Sequence, residues 1–398
     1  LLLLTIYILC NCTTKNQNLG KELELLRIQT LKNSDAYDNI QEFDRTIEQW
    51  YSLQGKSQAD SFFMKISKDY QLHIQQDTSN FKTRLVLQDS LFLEIENPLF
   101  KNKKIEIPVI NFKDFNQNIE VIANLKYIKK FQIQDFKHKQ KEIIGKVLVL
   151  ELNENQFTEY IERSKISGIL GLLIIIKDGN YVPCYQYKGN IKIPILGLSQ
   201  DDGFFLIESL KKYPKQYIKI YTKQKRVEKN AKIWIWKKNF NKDKNLYVIS
   251  KWKSNSCSKG LLSSVFSSFI LLDLAKTFER YSWNSNYNLV FIWTDAPQWN
   301  PPSKNDKILE ISPLTEFIGW EYPQKESNHW KKVEKTLLAY QSNIIFKPTP
   351  QNFSKPIIPD NYQKILNTDA ETMEWIHQEM VLHSLGMIAL TIFLLSLN

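Results

Sequence analysis

Imidazole and carboxylate side chains do most metal and acid–base chemistry near neutral pH, so the five histidines of this chain are the first residues to weigh. They are His73, His138, His329, His377 and His383. His377 and His383 are six apart on one predicted helix and do not share a face as an i,i+4 pair would. Glu374 and His377 are three apart and could touch one metal, although an ordinary surface helix carries the same pair. Cys184 and Cys257 have neither CxxC spacing nor a neighbouring histidine and read as buried thiols. Asp201 and Asp202 could bind calcium, but a helix-start cap is the simpler reading, with Ser199 or Asp201 as the capping residue. The serines Ser263, Ser264, Ser267 and Ser268 lack a GxSxG elbow and read as helix start and packing. No GxGxxG, P-loop or EF-hand loop is present, which disfavours nucleotide and calcium-sensor functions.

Those residues belong to a chain of 398 residues, 43% hydrophobic and 24% charged, the composition of a globular protein. The length implies one large or two ordinary domains with ample core. Four cysteines are too few for a disulfide scaffold. The net charge is +11, yet only six of the 53 basic residues are arginines. Base-reading surfaces favour arginine, and no zinc-finger, RNP or helix-turn-helix signature occurs, so the charge reads as a solvated lysine surface without nucleic-acid binding.

Along the chain, residues 13–40 read as a polar linker. Phe43, Ile47, Trp50, Phe62, Phe63 and Ile66 give helical spacing across 41–75, broken at Gly55. Residues 80–150 read as strands, with Pro108 placing 104–110 at an edge. Short apolar strands are expected at 145–150, 168–176, 191–198, 231–236, 245–250 and 287–293, with helices at 157–167, 199–210 and 263–278. Strand–helix alternation of this kind implies a mixed, largely parallel sheet flanked by helices, an α/β fold.

The order of these segments resembles the M28 family of zinc aminopeptidases with an inserted protease-associated (PA) domain. GKVLVL (145–150), SGILGLLIII (167–176) and IPILGLSQDDG (193–203) resemble the PA part, which implies a β-rich α/β insertion over 135–215. AKIWIWKKNFNKDKNLYVISKWKS (231–254) resembles the hairpin leading to the first metal-ligand strand. SSFILLDLAKTFER (267–280) resembles the helix after the metal-bridging loop. YNLVFIWTDAPQW (287–299) resembles the strand carrying the catalytic glutamates, and LNTDAETMEWI (366–376) the last ligand loop. The peptidase-like domain would then comprise 41–134 and 216–398.

A co-catalytic zinc site needs imidazoles and carboxylates around two ions roughly 3.5–4 Å apart, and a carboxylate base for the bridging water. The resemblance places the family's His-x-Asp on Lys251-Trp252-Lys253, and a protonated ammonium cannot ligate a metal. It places the bridging aspartate on Leu262, the paired glutamates on Pro297 and Gln298, the later aspartate on Ser312, and the final histidine on Asn367. None of these six residues keeps its ligand, so the expected cofactor content is none, with zinc only under the alternative of an active enzyme. Trp252, Trp293 and Trp299 fall beside the lost positions and are expected either in the core or lining an apolar cleft.

The two ends carry further expectations. Leu1 to Leu9 followed by Cys10-Asn11-Cys12 resembles the end of a bacterial lipoprotein signal peptide, with residues 1–12 as its remnant and Cys12, or alternatively Cys10, as the lipidation site. Residues 380–397 are apolar and read as a helix packed on a sheet rather than a membrane span, with Asp369, Glu371 and Glu374 placed to favour its N-terminus. The sequence therefore predicts an envelope-anchored, periplasmic or extracellular M28-like pseudoenzyme that binds a peptide or protein partner in its cleft or through the PA domain. The alternatives are an active zinc aminopeptidase using other ligands and a nicastrin-like component of a membrane complex.

Overall fold

A computed structural model describes residues 18–47, 52–96, 104–107, 110–111, 119–177, 182–183, 185, 187, 189–190, 192–214, 216–253, 260–296, 306–363, 365–366 and 372–397. Cys10, Cys12, Trp50, Pro108, Cys184, Cys257, Pro297, Gln298, Trp299, Asn367, Asp369 and Glu371 lie outside these residues.

Continuous apolar runs make the centre of the molecule, because a strand covered on both faces needs hydrophobic side chains at every position. The strands are β1 (Gln75–Glu96), β2 (Lys104–Ile107), β3 (Ile110–Asn111), β4 (Ile119–Tyr127), β5 (Val147–Leu152), β6 (Gly171–Ile176), β7 (Ile195–Leu198), β8 (Tyr217–Lys238), β9 (Asn245–Lys251), β10 (Asn288–Thr294), β11 (Lys307–Glu310), β12 (Gly319–Pro323), β13 (Ile345–Thr349) and β14 (Lys355–Pro356). Eleven of them form one sheet, in the order β11-β9-β10-β8-β4-β5-β6-β7-β3, with β1 against β8 and β2 against β1. β12, flanked by β13 and β14, forms a small second sheet.

Strand β10 is buried at every residue. It pairs in parallel with β9, Val290 opposite Tyr247 and Ile292 opposite Ile249, and antiparallel with β8, Phe291 opposite Trp236. The sheet is thus mixed, with parallel pairs β11–β9–β10 at one end and β4–β5–β6–β7 at the other.

Strand β8 exceeds what the sequence pattern indicated. β8 begins at Tyr217, well before the expected Ala231, and pairs antiparallel with β1 from Gln75 opposite Ile235 to Ile95 opposite Ile218. The lysine-rich stretch 223–229 lies inside this ribbon. Ladder bonds use only backbone N–H and C=O groups, so a charged segment pairs without an apolar pattern to announce it.

The helices are α1 (18–32), α2 (Ala36–Thr46), α3 (Leu53–Asp69), α4 (Asp135–His138), α5 (Gln140–Ile143), α6 (Phe157–Ser164), α7 (Gln200–Lys212), α8 (Phe266–Arg280), α9 (Ser327–Tyr340), α10 (Asp360–Gln363) and α11 (Gln378–Leu397). The expected linker at 13–40 is corrected by α1 and α2. Leu23, Leu26 and Thr30 of α1 are buried at helical spacing, so a face of this outwardly polar segment enters the main core. The expected break at Gly55 is also corrected. Gly55 lies in the first turn of α3 and donates its N–H to the Ser52 hydroxyl at 2.8 Å, the N-cap of that helix.

The main core lies on one face of the β11–β9–β10–β8 region and gathers α1, α2, α3, α8, α9 and α11 around Trp234, Trp252, Phe269, Phe291 and Trp293. Full burial of each such side chain contributes about 1.5–3 kcal/mol. Helix α11 packs within this core against α2, α8 and α9 and also meets strands, its Thr391 hydroxyl accepting the Trp320 indole N–H of β12 at 3.1 Å and its Leu395 carbonyl accepting from Lys307 Nζ of β11 at 3.4 Å. It is long and apolar enough to cross a bilayer, as is the 261–280 segment, and 83% of each is buried inside the protein. The expectation that Glu374 and His377 share a helix with His383 is corrected: Met373–Trp375 is a separate 3₁₀ turn, and α11 starts at Gln378.

Strands β4–β7 carry their own cores on both faces. α6 covers one with Phe157, Tyr160 and Ile161, and α7 the other with Leu206, Ile207 and Leu210. Two residues shape the first turn of α7. Ser199 caps its start by accepting the Asp202 N–H at 3.1 Å, and Gly203 lets the helix rest on β6, where a Cβ would collide with Ile175. Gly168, at φ +75°, turns the chain from α6 into β6 in the left-handed region that glycine tolerates. β4 pairs with β5 on one side and β8 on the other, and its Ala123 and Leu125 enter the core under α7.

Candidate functional site at the ends of strands β9 and β10

Ligands of open α/β sheets bind beyond the carboxyl ends of the parallel strands, here after Lys251 of β9 and Thr294 of β10. Side chains alternate along an extended segment, which sets Trp252 opposite Lys251 and Lys253. Trp252 is fully buried, with its ring 5.1 Å from that of Phe63 and 5.7 Å from that of Phe43. Trp293 is likewise buried, 5.2 Å from Phe63, and its indole N–H donates to the Ser268 carbonyl at 3.0 Å. Both tryptophans are core residues and not walls of an open cleft.

The two lysines on the other side differ. Lys251 Nζ lies 2.8 Å from Glu310 Oε1, at the end of the neighbouring strand β11. The Lys253 amine makes no ion pair or hydrogen bond among the described residues. Burial, and then the Lys251 charge, push it below the ordinary lysine range, while Asp295 and Glu310 act in the opposite direction.

The backbone beneath these lysines is held by serine hydroxyls. Ser264 and Ser268 donate to the Lys251 carbonyl at 2.5 and 2.9 Å, and the Lys253 N–H donates to Ser264 at 3.0 Å. Ser312 accepts the Lys251 N–H at 2.9 Å and lies 3.1 Å from Ser250 and 2.5 Å from Ser267. Ser250 also lies 2.8 Å from Ser268. Each of these hydroxyls has a hydroxyl or backbone partner, as buried polar groups must. The hydroxyls lock the start of α8 and a π-turn at Leu261–Val265 against the end of β9.

A second charged group lies behind the strand ends. Lys56 of α3 is within 3.2 Å of Asp60 Oδ1 and 3.5 Å of Asp295 Oδ2, and it donates to the Trp252 carbonyl at 2.8 Å. Asp60 also accepts the Trp252 indole N–H at 3.0 Å and the Lys232 ammonium at 2.7 Å. Asp295 accepts the Lys232 N–H at 2.6 Å. Burial pushes the Lys56 amine down and the Asp295 carboxyl up, and the attraction between them opposes both shifts. The sequence signal for this group, absent from the reading above, is the i,i+4 spacing of Lys56 and Asp60 beside buried Ala59 and Phe63.

The donor set can now be tested for zinc. Two ammoniums are hydrogen-bond donors, the Glu310 carboxylate pairs with Lys251, and every carboxylate oxygen of Asp60 and Asp295 already has a partner. Among the described residues no three His, Cys, Asp or Glu side chains converge to hold a metal. Of the five histidines, His383 contacts the Phe317 carbonyl at 3.2 Å in the core. These residues do not fit a zinc ion.

No family model matches the chain, and no curated protein matches it in sequence. Solved structures do match. A peptidase M28 precursor from Shewanella amazonensis superposes with a TM-score of 0.69 at 10% identity, covering 96% of this chain and 97% of that one. BSAP, a zinc aminopeptidase from Bacillus subtilis, gives a TM-score of 0.64 at 14% identity, covering 90% of this chain and 93% of that one. This chain has the fold of the M28 zinc aminopeptidases. An aminopeptidase from Aneurinibacillus sp. strain AM-1 adds a TM-score of 0.56 at 13% identity over 92% of this chain and 95% of that one.

The residues that the sequence resemblance set on the ligand positions fall at separate places in this fold. Lys251 stands at the end of β9, and Ser312 lies beside it in the hydroxyl cluster. Leu262 is fully buried in the π-turn, its side chain in the main core. The structure therefore brings Lys251 and Ser312 together, while Leu262 faces hydrophobic neighbours. Pro297, Gln298 and Asn367 are outside the described residues. The acidic residue of LLDLA, Asp273, has another task. It accepts from Ser34 Oγ, the Asp35 and Ala36 N–H groups and the Tyr70 hydroxyl at 2.6–3.0 Å, capping α2 from a different helix.

Proposed function

We propose that this protein is an M28-like pseudoenzyme that holds a peptide or protein partner at the ends of β9–β11 without hydrolysing it. The observation carrying this reading is the Lys251–Lys253 pair at the strand end where the aminopeptidase pattern has its His-x-Asp. Hydrolysis in that pattern needs a metal-bound water and a carboxylate base. Here one lysine is tied to Glu310 and the nearby carboxylates Asp60 and Asp295 are consumed by Lys56 and Lys232. The degenerate positions Lys251, Leu262, Pro297, Gln298, Ser312 and Asn367 support the same reading, in which no zinc cofactor is used.

The β4–β7 unit with α6 and α7 is, in this reading, a PA-like module available to a partner. The N-terminal Cys12, or Cys10, would carry a lipid that places the protein at a bacterial cell envelope. The burial of α11 among α2, α8 and α9 favours this over a nicastrin-like membrane component.

The test is the metal content of the purified protein after dialysis against trace zinc, together with release of amino acids from unblocked peptides. A cooperatively folded chain with no bound zinc and no release is expected. Two tightly held zincs per chain with peptide cleavage would establish the active aminopeptidase instead.

A further inference from the structure

Seven charged side chains surround the ends of β9, β10 and β11: the ammoniums of Lys56, Lys232, Lys251 and Lys253, and the carboxylates of Asp60, Asp295 and Glu310. Three ammoniums are matched. Lys232 and Lys56 share Asp60, Lys56 reaches Asp295, and Lys251 holds Glu310. Lys253 is left over, without a carboxylate partner among the described residues.

We propose that Lys253, beside Lys251, binds a carboxylate of the ligand at the end of β9. The proposal rests on the peptide-binding reading above and names the chemistry of that ligand. A cation set in a partly buried site is costly unless an opposite charge meets it, and among the described residues no carboxylate pairs with it directly, Asp295 and Glu310 acting on it without an ion pair. The backbone that carries the side chain is also held in place. The Lys253 N–H is fixed by Ser264, the Trp252 carbonyl by Lys56, the Lys251 carbonyl by Ser264 and Ser268, and Trp252 is anchored in the core by Asp60 and Phe63. Little backbone order remains to be imposed when an anion arrives. Strand ends are also where ligands of this architecture sit. The groups acting on the Lys253 amine are Lys251, Asp295 and Glu310. A bound carboxylate would offset the Lys251 repulsion and bring the cluster to charge balance.

The intact protein, its lysines reductively methylated with ¹³C so that their charge is kept, provides the direct test. The Lys253 resonance is assigned through Lys253→Gln. Acetate is expected to move that resonance in a saturable way that equal chloride does not reproduce. No movement, or the same movement with chloride, overturns the proposal.

Calorimetry then compares tetra-alanine as free acid, tetra-alanine as terminal amide, and an amidated Ala-Glu-Ala-Ala. A charge-assisted contact predicts about tenfold tighter binding of the carboxylate-bearing forms, lost in Lys253→Gln. Preference for the free acid assigns the chain terminus, and preference for the glutamyl amide assigns a side chain. Equal binding of all three overturns the carboxylate inference while leaving peptide binding intact. Cleavage of the peptides by a zinc-loaded protein overturns the underlying reading instead.

Discussion

Lys251 and Glu310 meet at 2.8 Å across the ends of two adjacent parallel strands. The pair is partly exposed, so it contributes about 1 kcal/mol or less to stability. Its consequence is chemical, because it spends the one carboxylate that β11 brings to the strand ends.

Restoring the His-x-Asp pattern by Lys251→His with Lys253→Asp is expected not to restore zinc binding. Leu262 remains an apolar, fully buried residue, and Ser312 remains committed to Lys251 N–H and the neighbouring hydroxyls. Metal analysis after dialysis checks this, and stoichiometric zinc in the double variant would show that the other ligands are present.

Lys56→Met is expected to destabilise the fold by about 3–5 kcal/mol, since it leaves the buried Asp295 without its cation while Asp60 keeps only Lys232. Adding Asp295→Asn should recover part of the loss, because the stranded charge is then removed. Thermal or denaturant unfolding of the single and double variants measures both changes. Additive losses would mean that Lys56 and Asp295 are not coupled.

Asp273→Asn is expected to cost about 1–3 kcal/mol. Ser34, Asp35, Ala36 and Tyr70 all donate to the Asp273 carboxylate, and an amide group would turn a donor toward donors. Amide hydrogen exchange should localise the loss to the first turn of α2, and unchanged protection there would argue against a capping role.

Lys307 gives a pH dependence with a defined sign. Burial pushes its amine from the ordinary 10.5 down to about 8, with Glu326 opposing, and its Nζ lies 4.6 Å from the Tyr287 ring centre. Between about pH 8 and 10.5 the unfolded chain still holds a proton that the folded chain has released. Stability contributed by this group therefore rises with pH across that window and is lowest below it, where the buried amine is charged. Lys307→Met is expected to stabilise the protein by about 1–3 kcal/mol at pH 7 and to remove that rise. Denaturant unfolding at pH 7 and pH 10 tests this, and an unchanged slope in the variant would assign the effect elsewhere.

Much of the architecture was legible because it is written in local pattern. The runs at 147–152, 171–176 and 288–294 are apolar at nearly every residue, and each forms a strand buried on both faces. Ser199, weighed with Asp201 as the cap, marks the start of α7, whereas Gly168, read as the first residue of a strand, is the turn before β6. Helix α1 was not legible as core, since its few buried residues sit in an otherwise polar stretch that composition alone marks as a linker. The extension of β8 to Tyr217 was hidden for a related reason, because backbone pairing leaves no side-chain signature in 223–229.

What the sequence by itself determined is the set of residue types at the strand ends: lysines at 251 and 253, leucine at 262 and serine at 312 stand whatever the packing, and no fold makes ligating carboxylates or imidazoles of them. What only the tertiary structure decided is how charge is distributed among residues far apart in the chain. It carries Lys56 and Asp60 of α3 to Asp295 after β10 and Glu310 of β11 to Lys251 of β9, while Lys253 receives no partner from the described residues. Coulomb energy depends on distance and local dielectric rather than on sequence separation. The ion pairs, and the cation they leave over, therefore exist only once the strands are side by side.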